Sequence, residues 1–311
     1  MQSALAAAGI QAQRIESLWW VIFWVTLIVT VMVLGVLAMA VRRGAGARGT
    51  GSDDRPLLRN VAIATAATIV ILFGLVFESV ITSRAIASQR DEPGVLEIEV
   101  TAYQWWWAME YQHPEPEQRV RTANELHIPV GRTVSVKLLA NDVIHSFWVP
   151  SLHGKLDAIP GHEAKLWLRA DRAGVYRGQC AEYCGHQHAH MAFVVIAEPP
   201  EDFERWIQAQ RQTAHQPESS EAQRGLQLVQ QSACVMCHTI RGTAAGGRIA
   251  PDLTHVATRS TIAAGTRPLT AQYLDQWIRD PQAIKPGNRM PQLALSDADR
   301  AAIVAYLEQL K

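Results

Sequence analysis

The chain has 311 residues, of which 48% are hydrophobic, and its 29 basic and 29 acidic residues give a formal net charge of zero. This balance excludes a bulk electrostatic attraction to nucleic acid, so we expect no nucleic-acid partner. The length leaves room for two globular domains of ordinary size and an additional segment.

The first predicted element is a membrane-spanning helix, because residues 17–41 contain no charged side chain. A helix of that length rises about 36 Å, which exceeds the roughly 30 Å hydrocarbon core of a bilayer. A second uncharged run covers residues 60–77, and it reaches about residue 83 if Glu78 lies near a headgroup boundary. The two runs predict a transmembrane hairpin in contact with membrane lipid.

A cleaved signal peptide is the alternative for the first run, since Ala38-Met39-Ala40 resembles a cleavage site. The apolar run is much longer than a signal core of roughly 7 to 15 residues, which favours an anchor. The segment between the two runs carries Arg42, Arg43, Arg48, Arg55 and Arg59. The positive-inside rule therefore predicts that this segment is cytoplasmic, that both termini are outside, and that everything after residue 84 is extracytoplasmic.

Short runs with the alternation of β-strands follow the hairpin. They cover residues 95–103, 125–130, 133–140, 164–169 and 192–197. Turns that contain Gly, Pro and Asn separate them, which predicts a small antiparallel sandwich of about 110 residues.

The rest of the chain has helical periodicity and predicts a small all-α domain. Helices are expected at 200–212, 221–231, 270–279 and 296–310, with a polar linker at 215–220. The last helix opens with a capping box, Ser296-x-x-Asp299. We expect an N-terminal segment with two helices over 1–92, a sandwich over 93–200, a helix and linker over 201–220, and a helical domain over 221–311.

The first of two cysteine pairs lies among other soft ligands in the run Cys180-Ala-Glu-Tyr-Cys184-Gly-His-Gln-His188-Ala-His-Met191, with His145 upstream. Thiolates, imidazoles and a thioether together suit copper. Zinc held by two cysteines and two histidines, or a structural disulfide, are the alternatives from spacing alone. The thioether of Met191 favours copper, because zinc rarely binds one. His186 and His190 are chemically equal to His188 as candidates.

The spacing C-x-E-x-C-x3-H-x2-M, with the upstream histidine and Asp-Ala-Ile-Pro-Gly at 157–161, resembles the binuclear copper domain of cytochrome oxidase subunit II, a cupredoxin-like sandwich. The resemblance spans about residues 17–197. It implies two copper ions bridged by Cys180 and Cys184, with His145 and His188 binding one ion each, Met191 as a weak ligand and Glu182 binding through its backbone carbonyl. The side chain of Glu182 resembles a magnesium ligand at the interface with subunit I.

Three adjacent tryptophans, Trp105, Trp106 and Trp107, follow the first predicted strand. They could simply be core on one face and interface on the other. The same resemblance implies an aromatic patch at which subunit II accepts electrons, with Trp105 as the point where electrons arrive. Trp106 stands where the family usually has tyrosine.

The second cysteine pair, in Cys234-Val-Met-Cys237-His238, has the spacing of a c-type haem attachment site. A disulfide or thioredoxin-like pair is the alternative, but no βαβ pattern surrounds it. Ala250-Pro251-Asp252-Leu253 and the segment 285–291 resemble a class I cytochrome c. That resemblance implies covalent haem c with His238 as proximal ligand, Met290 as distal ligand, and a Pro251 carbonyl that orients His238.

With both motifs, the chain resembles subunit II of a caa3-type cytochrome c oxidase. This resemblance implies a location in the bacterial inner membrane, with the copper and haem domains in the periplasm. They imply that the chain carries electrons from cytochrome c or another donor, through haem c and copper, to subunit I. Oxygen would be reduced to water there, coupled to proton translocation, and this chain would hold no catalytic residue. Subunit III and other oxidase subunits are further expected partners.

The alternatives are a subunit of a copper-containing nitric oxide reductase, a nitrous oxide reductase, and a stand-alone membrane-anchored electron carrier. The second uncharged run begins Asn60-Val-Ala after Arg59, without the acidic residue that marks proton uptake in many relatives. No residue is therefore assigned to proton uptake.

Overall fold

The computed structural model of the chain describes residues 3–44, 55–87 and 94–311. The chain divides into two compact units, one of Met1–Ala12 with Glu92–Lys311 and one of Gln13–Asp91. The part of the arginine-rich segment that contains Arg48, and the domain boundary expected at residue 92, lie outside the described residues.

Two long apolar helices cover the first two predicted elements. Helix α1 covers Ile10–Gly44 and helix α2 covers Arg55–Ala87, and both are long and apolar enough to cross a membrane. Both helices extend beyond the uncharged runs, because the Gln, Glu and Arg residues that flank those runs also favour helix.

Ten strands in the described residues 94–198 form two five-stranded sheets. The strands are β1 (Leu96–Tyr103), β2 (Trp106–Tyr111), β3 (Val120–Ala123), β4 (Glu125–Pro129), β5 (Val134–Ala140), β6 (His145–Trp148), β7 (Leu156–Ala158), β8 (Ala164–Leu168), β9 (Gly174–Cys180) and β10 (Ala192–Glu198). The first sheet has the order β3-β2-β1-β5-β8 and the second β4-β10-β9-β6-β7. The predicted cupredoxin-like sandwich is confirmed.

The expectation of a purely antiparallel sandwich is wrong. Strand β1 pairs with β5 in parallel, and β10 pairs with β4 in parallel. A parallel pair needs a crossover. Between β1 and β5 the chain passes through β2 and β3 and then β4 in the opposite sheet, and it returns to the first sheet in the direction of β1.

The interior of the sandwich follows the alternation of its strands. Ile98, Val100 and Ala102 point inward from β1 and are fully buried. Trp107, Phe147 and Phe193 pack on one another in the same core, with ring centroids 4.5 to 5.7 Å apart. This core includes Cys180, Cys184 and Met191, so the first cysteine pair lies against a rigid, tightly packed interior.

The predicted helical domain is confirmed, and a second hydrophobic core supports it. Its helices are α4 (Ser220–Gln231), α5 (Cys234–Cys237), α6 (Ala271–Arg279), α7 (Pro281–Ile284) and α8 (Asp297–Leu307), preceded by α3 (Pro200–Gln210) on the sandwich. One short ladder, β11 (Thr261–Ile262) with β12 (Arg267–Pro268), interrupts the helical pattern. Ser296 caps α8 as predicted, since its Oγ accepts a hydrogen bond from the Asp299 amide.

The first residues of the chain pack on the sandwich. The Ala8 amide donates to the Ser151 carbonyl at 2.7 Å, and the Asp171 amide donates to the Ala8 carbonyl at 2.7 Å. A Cβ at Gly9 would lie 2.2 Å from the Arg169 carbonyl oxygen, so only glycine fits at this contact.

Candidate functional site

The structure brings the soft ligands of the first cysteine pair into one cluster. The closest sulfur contacts are Cys180 Sγ to Cys184 Sγ at 3.7 Å, His145 Nδ1 to Cys180 Sγ at 3.8 Å, His188 Nδ1 to Cys184 Sγ at 3.6 Å, Met191 Sδ to Cys184 Sγ at 3.8 Å, and the Glu182 carbonyl oxygen to Cys180 Sγ at 3.2 Å. Residues separated by up to 46 positions thus meet at one end of the sandwich.

Two neighbouring strands and one loop build this cluster. Strands β6 and β9 are antiparallel with Phe147 opposite Cys180, which brings His145 near the end of β9. The loop after β9 then turns back at Gly185, whose φ of 108° suits glycine. The 3-10 turn His188–His190 follows and leads directly into β10.

The two thiols shift each other's pKa in opposite directions. A hydrogen bond with Cys184 lowers the pKa of Cys180 well below its usual range. The same hydrogen bond, together with burial, raises the pKa of Cys184. One thiolate therefore disfavours a second so close to it, and cations between the sulfurs would be needed to hold both as thiolates. Copper ions fit this donor set, which has soft sulfurs and two imidazoles.

Asp142 fixes the orientation of His145, and sequence reasoning missed it. Its Oδ1 lies 2.9 Å from His145 Nε2, and its carboxylate also accepts from the amides of Gln104 and Val143, both at 2.8 Å. A carboxylate can only accept, so Nε2 carries the proton and the lone pair of Nδ1 faces Cys180. The sequence feature that could have indicated this role is the position of the acidic residue, three residues before a predicted metal ligand.

The three nearby histidines differ in their surroundings. His188 directs Nδ1 toward a sulfur, whereas His190 directs its Nδ1 to Gln187 Oε1 at 2.9 Å. Both His186 and His190 are exposed, and His188 is half-buried. This geometry favours His188 over its two neighbours as the ligand.

The second cysteine pair lies on α5, with both thiols free and half-buried. His238 Nδ1 is 2.7 Å from the Pro251 carbonyl oxygen, the contact expected from the sequence. Because a carbonyl only accepts, Nδ1 carries the proton and Nε2 keeps a lone pair for a metal. Burial lowers the pKa of His238, which favours this neutral form.

Two further features fit a haem beside this pair. The Met290 loop is held by side chains, because Met290 N donates to Asn288 Oδ1 at 2.8 Å and Gln282 Nε2 donates to the Met290 carbonyl at 3.2 Å. The Nε of Arg259 is buried and has no hydrogen-bond partner among the described residues, and burial lowers the pKa of this guanidinium. An unsatisfied buried cationic donor suits the carboxylates that haem carries. Sequence reasoning did not identify Arg259.

The three tryptophans occupy three environments. Trp107 is fully buried in the sandwich core, and Trp106 stacks on Tyr103 with centroids 4.7 Å apart. Trp105 is 8% exposed and donates its indole N–H to the Cys184 carbonyl at 2.9 Å. A Cβ at Gly287 would lie 3.4 Å from its ring, so the helical domain covers Trp105.

Polar contacts also join the sandwich to the helical domain inside the same compact unit. The buried carboxylate of Glu125 accepts from Ser260 N at 2.7 Å and from Ser260 Oγ at 2.6 Å. The Arg248 side chain forms an ion pair with Glu110 at 2.9 Å. The backbone carbonyl of Arg248 accepts a hydrogen bond from the Arg121 side chain. These contacts hold the two candidate sites in one arrangement.

Comparisons with known proteins match the sandwich and the helical domain to two families. Residues 113–198 match the family described as cytochrome c oxidase subunit II, periplasmic domain, and residues 222–311 match the cytochrome c family. The chain is 33% identical to cytochrome c oxidase subunit 2 of Alkalihalophilus pseudofirmus, over 99% of this chain and 91% of that relative. It is 34% identical to the same subunit of Bacillus subtilis, over 79% of this chain and 73% of that relative.

Proposed function

We infer that this chain, which belongs to the cytochrome c oxidase subunit 2 family, relays single electrons from its helical domain through its sandwich to oxidase subunit I. Oxygen is reduced to water in that subunit, with coupled proton translocation. The observation that carries the proposal is the cluster of two cysteines, two histidines and one methionine at the end of the sandwich core.

Two copper ions and a covalent haem c, when bound, supply one-electron carriers whose coordination leaves little room for substrate. Cys180, Cys184, His145, His188, Met191 and the Glu182 carbonyl would hold the coppers. Asp142 keeps the His145 lone pair aimed at the cluster. The packed core beneath the cysteines holds these ligands still, which limits the rearrangement that accompanies each change of charge.

In the helical domain, Cys234 and Cys237 would form the thioether bonds, and His238 and Met290 would bind the iron. The Pro251 carbonyl fixes the ring of His238 through Nδ1. A thioether ligand raises the reduction potential of a haem, which suits a carrier close to a copper acceptor. Trp105, which donates to a Cys184 carbonyl beneath the helical domain, is the proposed point where electrons arrive at the sandwich.

The proposed location is the bacterial inner membrane, with α1 and α2 as spans and both globular domains in the periplasm. The contacts of Ala8 with Ser151 and Asp171 support this topology, because the N-terminal residues and the sandwich must then share one side of the membrane. The remaining proposed partners are subunit III, other oxidase subunits, and cytochrome c or another donor. The Glu182 side chain is the proposed ligand of a magnesium ion at the interface with subunit I.

The copper half of the proposal is tested by metal analysis and electron paramagnetic resonance of the purified complex. We expect two coppers per chain beyond those of subunit I, with a delocalised mixed-valence signal. His188→Ala should abolish that signal, and His186→Ala is the matched control that should retain it. Zinc in place of copper, or loss of the signal in the control, would contradict the assignment.

The haem half is tested by absorption spectroscopy of the same complex. Met290→Ala should keep the haem covalently attached but remove the sulfur ligand and lower the reduction potential. Met236→Ala is the matched control, because Met236 lies between the two cysteines and is 73% exposed. An unchanged spectrum and potential in Met290→Ala would refute this ligand.

A further inference from the structure

Lys285 is a buried lysine between the two domains, and the proposed relay gives it no role. It is 3% exposed and precedes the Met290 loop. Its Nζ donates to the carbonyls of Trp105 at 2.6 Å, His190 at 2.8 Å and Ala263 at 3.0 Å. The first two acceptors belong to the sandwich and the third belongs to the helical domain.

The three contacts match the chemistry of an ammonium group. Lysine is almost never fully buried unless its charge is compensated. Burial lowers the pKa of Lys285 to about 7, so removal from water has a real cost here. An ammonium has three N–H donors and meets three carbonyls, whereas a neutral amine would leave one of these carbonyls without a donor.

The residues after Lys285 touch the surroundings of the copper cluster. The Pro286 carbonyl accepts from Gln187 Nε2 at 2.9 Å, and Gly287 lies against the Trp105 ring. Arg289 Nη2 is 3.7 Å from Asp142, the carboxylate that orients His145. One short loop thus contacts the sandwich at several points and ends at the proposed haem ligand Met290.

We propose that Lys285 is a positioning residue that fixes the Met290 loop on the sandwich and so sets the separation between the two proposed redox sites. The inference rests on the proposed electron relay. Effective transfer requires the two sites to be held in one geometry, and small displacements at such sites cost rate. Lys285 supplies this constraint because its charge-assisted hydrogen bonds join Trp105 and His190 directly to the helical domain.

The test uses the complete oxidase complex with Lys285→Met and Lys285→Gln. Haem c is reduced by a light-activated reductant, and the rate at which the copper signal then changes is measured. Loss of one hydrogen bond to a charged group disfavours the docked arrangement by about tenfold, so we expect the transfer rate to fall by up to about tenfold in Lys285→Met. Lys285→Gln keeps two N–H donors and should give an intermediate rate.

Lys165→Met is the matched control, because Lys165 is exposed on β8 of the sandwich. Its rate should equal that of the unmodified complex. In all variants the haem absorption and the mixed-valence copper signal should be unchanged, since Lys285 is not a proposed ligand. A rate within twofold of the unmodified complex in Lys285→Met, or an equal fall in the control, would overturn the proposal.

Hydrogen exchange provides a second readout that does not depend on electron transfer. Amides in 102–107 and 260–266 should exchange faster in Lys285→Met than in Lys165→Met, because the contact between the sandwich and the helical domain around residue 285 opens more often. If the unmodified complex shows no transfer from haem to copper, the relay itself fails. The exchange measurement then decides alone whether Lys285 fixes the loop, and unchanged protection would reject that role.

Discussion

At the residue scale, the Asp142 carboxylate holds the imidazole of His145 through Nε2, the ring nitrogen that points away from the cluster, at a distance of 2.9 Å. Residues that orient a metal-binding histidine typically contribute 10- to 100-fold to metal affinity. We therefore expect Asp142→Ala to weaken copper retention by about 10- to 100-fold, measured by chelator titration of the mixed-valence signal. Asp202→Ala is the control, because Asp202 forms a surface pair on α3 with Arg205. Equal retention in the two variants would show that Asp142 does not orient a copper ligand.

Ligands and their supporting residues differ in how far the sequence predicts them. Cys180, Cys184 and Met191 lie close together along the chain, so their spacing alone indicates a site. Lys285 meets Trp105 across 180 positions, and no local pattern marks such a contact. Asp142 is close to His145 in sequence, yet its role depends on the backbone turn that directs its carboxylate to Nε2.

At the element scale, helices α4 and α8 cross at Gly225, which has no side chain. A Cβ at Gly225 would lie 2.0 Å from the Ala302 carbonyl oxygen, so the helices would have to separate to admit one. We expect Gly225→Ala to destabilise the helical domain by about 1 to 3 kcal/mol, the usual cost of overpacking. Denaturant unfolding followed by haem absorbance measures this.

Gly246→Ala is the control for that substitution, because a Cβ at Gly246 would contact none of the neighbouring residues that the structure describes within 4 Å. The denaturant concentration at the midpoint of unfolding should stay close to that of the unmodified domain. Equal stability of the two variants would mean that the helix crossing tolerates a wider separation.

The strands predicted from alternation agree with the structure to within about two residues, and three of the five strands that were not predicted have physical reasons. Strand β6 is buried at three of its four positions, so it shows no alternation, and β7 has only three residues. Strand β9 begins at Gly174 and is interrupted by Gly178. Alternation also carries no information on strand direction, and the two parallel pairs therefore followed only from the three-dimensional arrangement.

At the scale of the whole molecule, the helical domain covers Trp105, which is 8% exposed. A soluble cytochrome c should therefore reach the copper cluster only through the haem. Each domain has its own hydrophobic core, so a chain that ends at Gln212 should retain the sandwich. This shortened chain should accept electrons directly from soluble cytochrome c at a rate on the order of 10⁶ M⁻¹ s⁻¹. Stopped-flow reduction measures that rate.

The control for this experiment is the same shortened chain with Trp105→Ala, which should react more slowly because its aromatic contact surface is smaller. Direct reduction of the copper in the full chain with a haem-less helical domain would contradict the covering role.

The contact of Ala8 and Gly9 with the sandwich has a consequence for biogenesis. In the proposed topology, the residues around Ala8 must be exported before they can make these contacts with a domain whose last strand, β10, ends at Glu198. We therefore expect export of the N-terminal tail to precede copper loading. A rapidly folding fusion partner attached to the N-terminus would stall the tail in the cytoplasm, leaving an inserted but metal-free subunit.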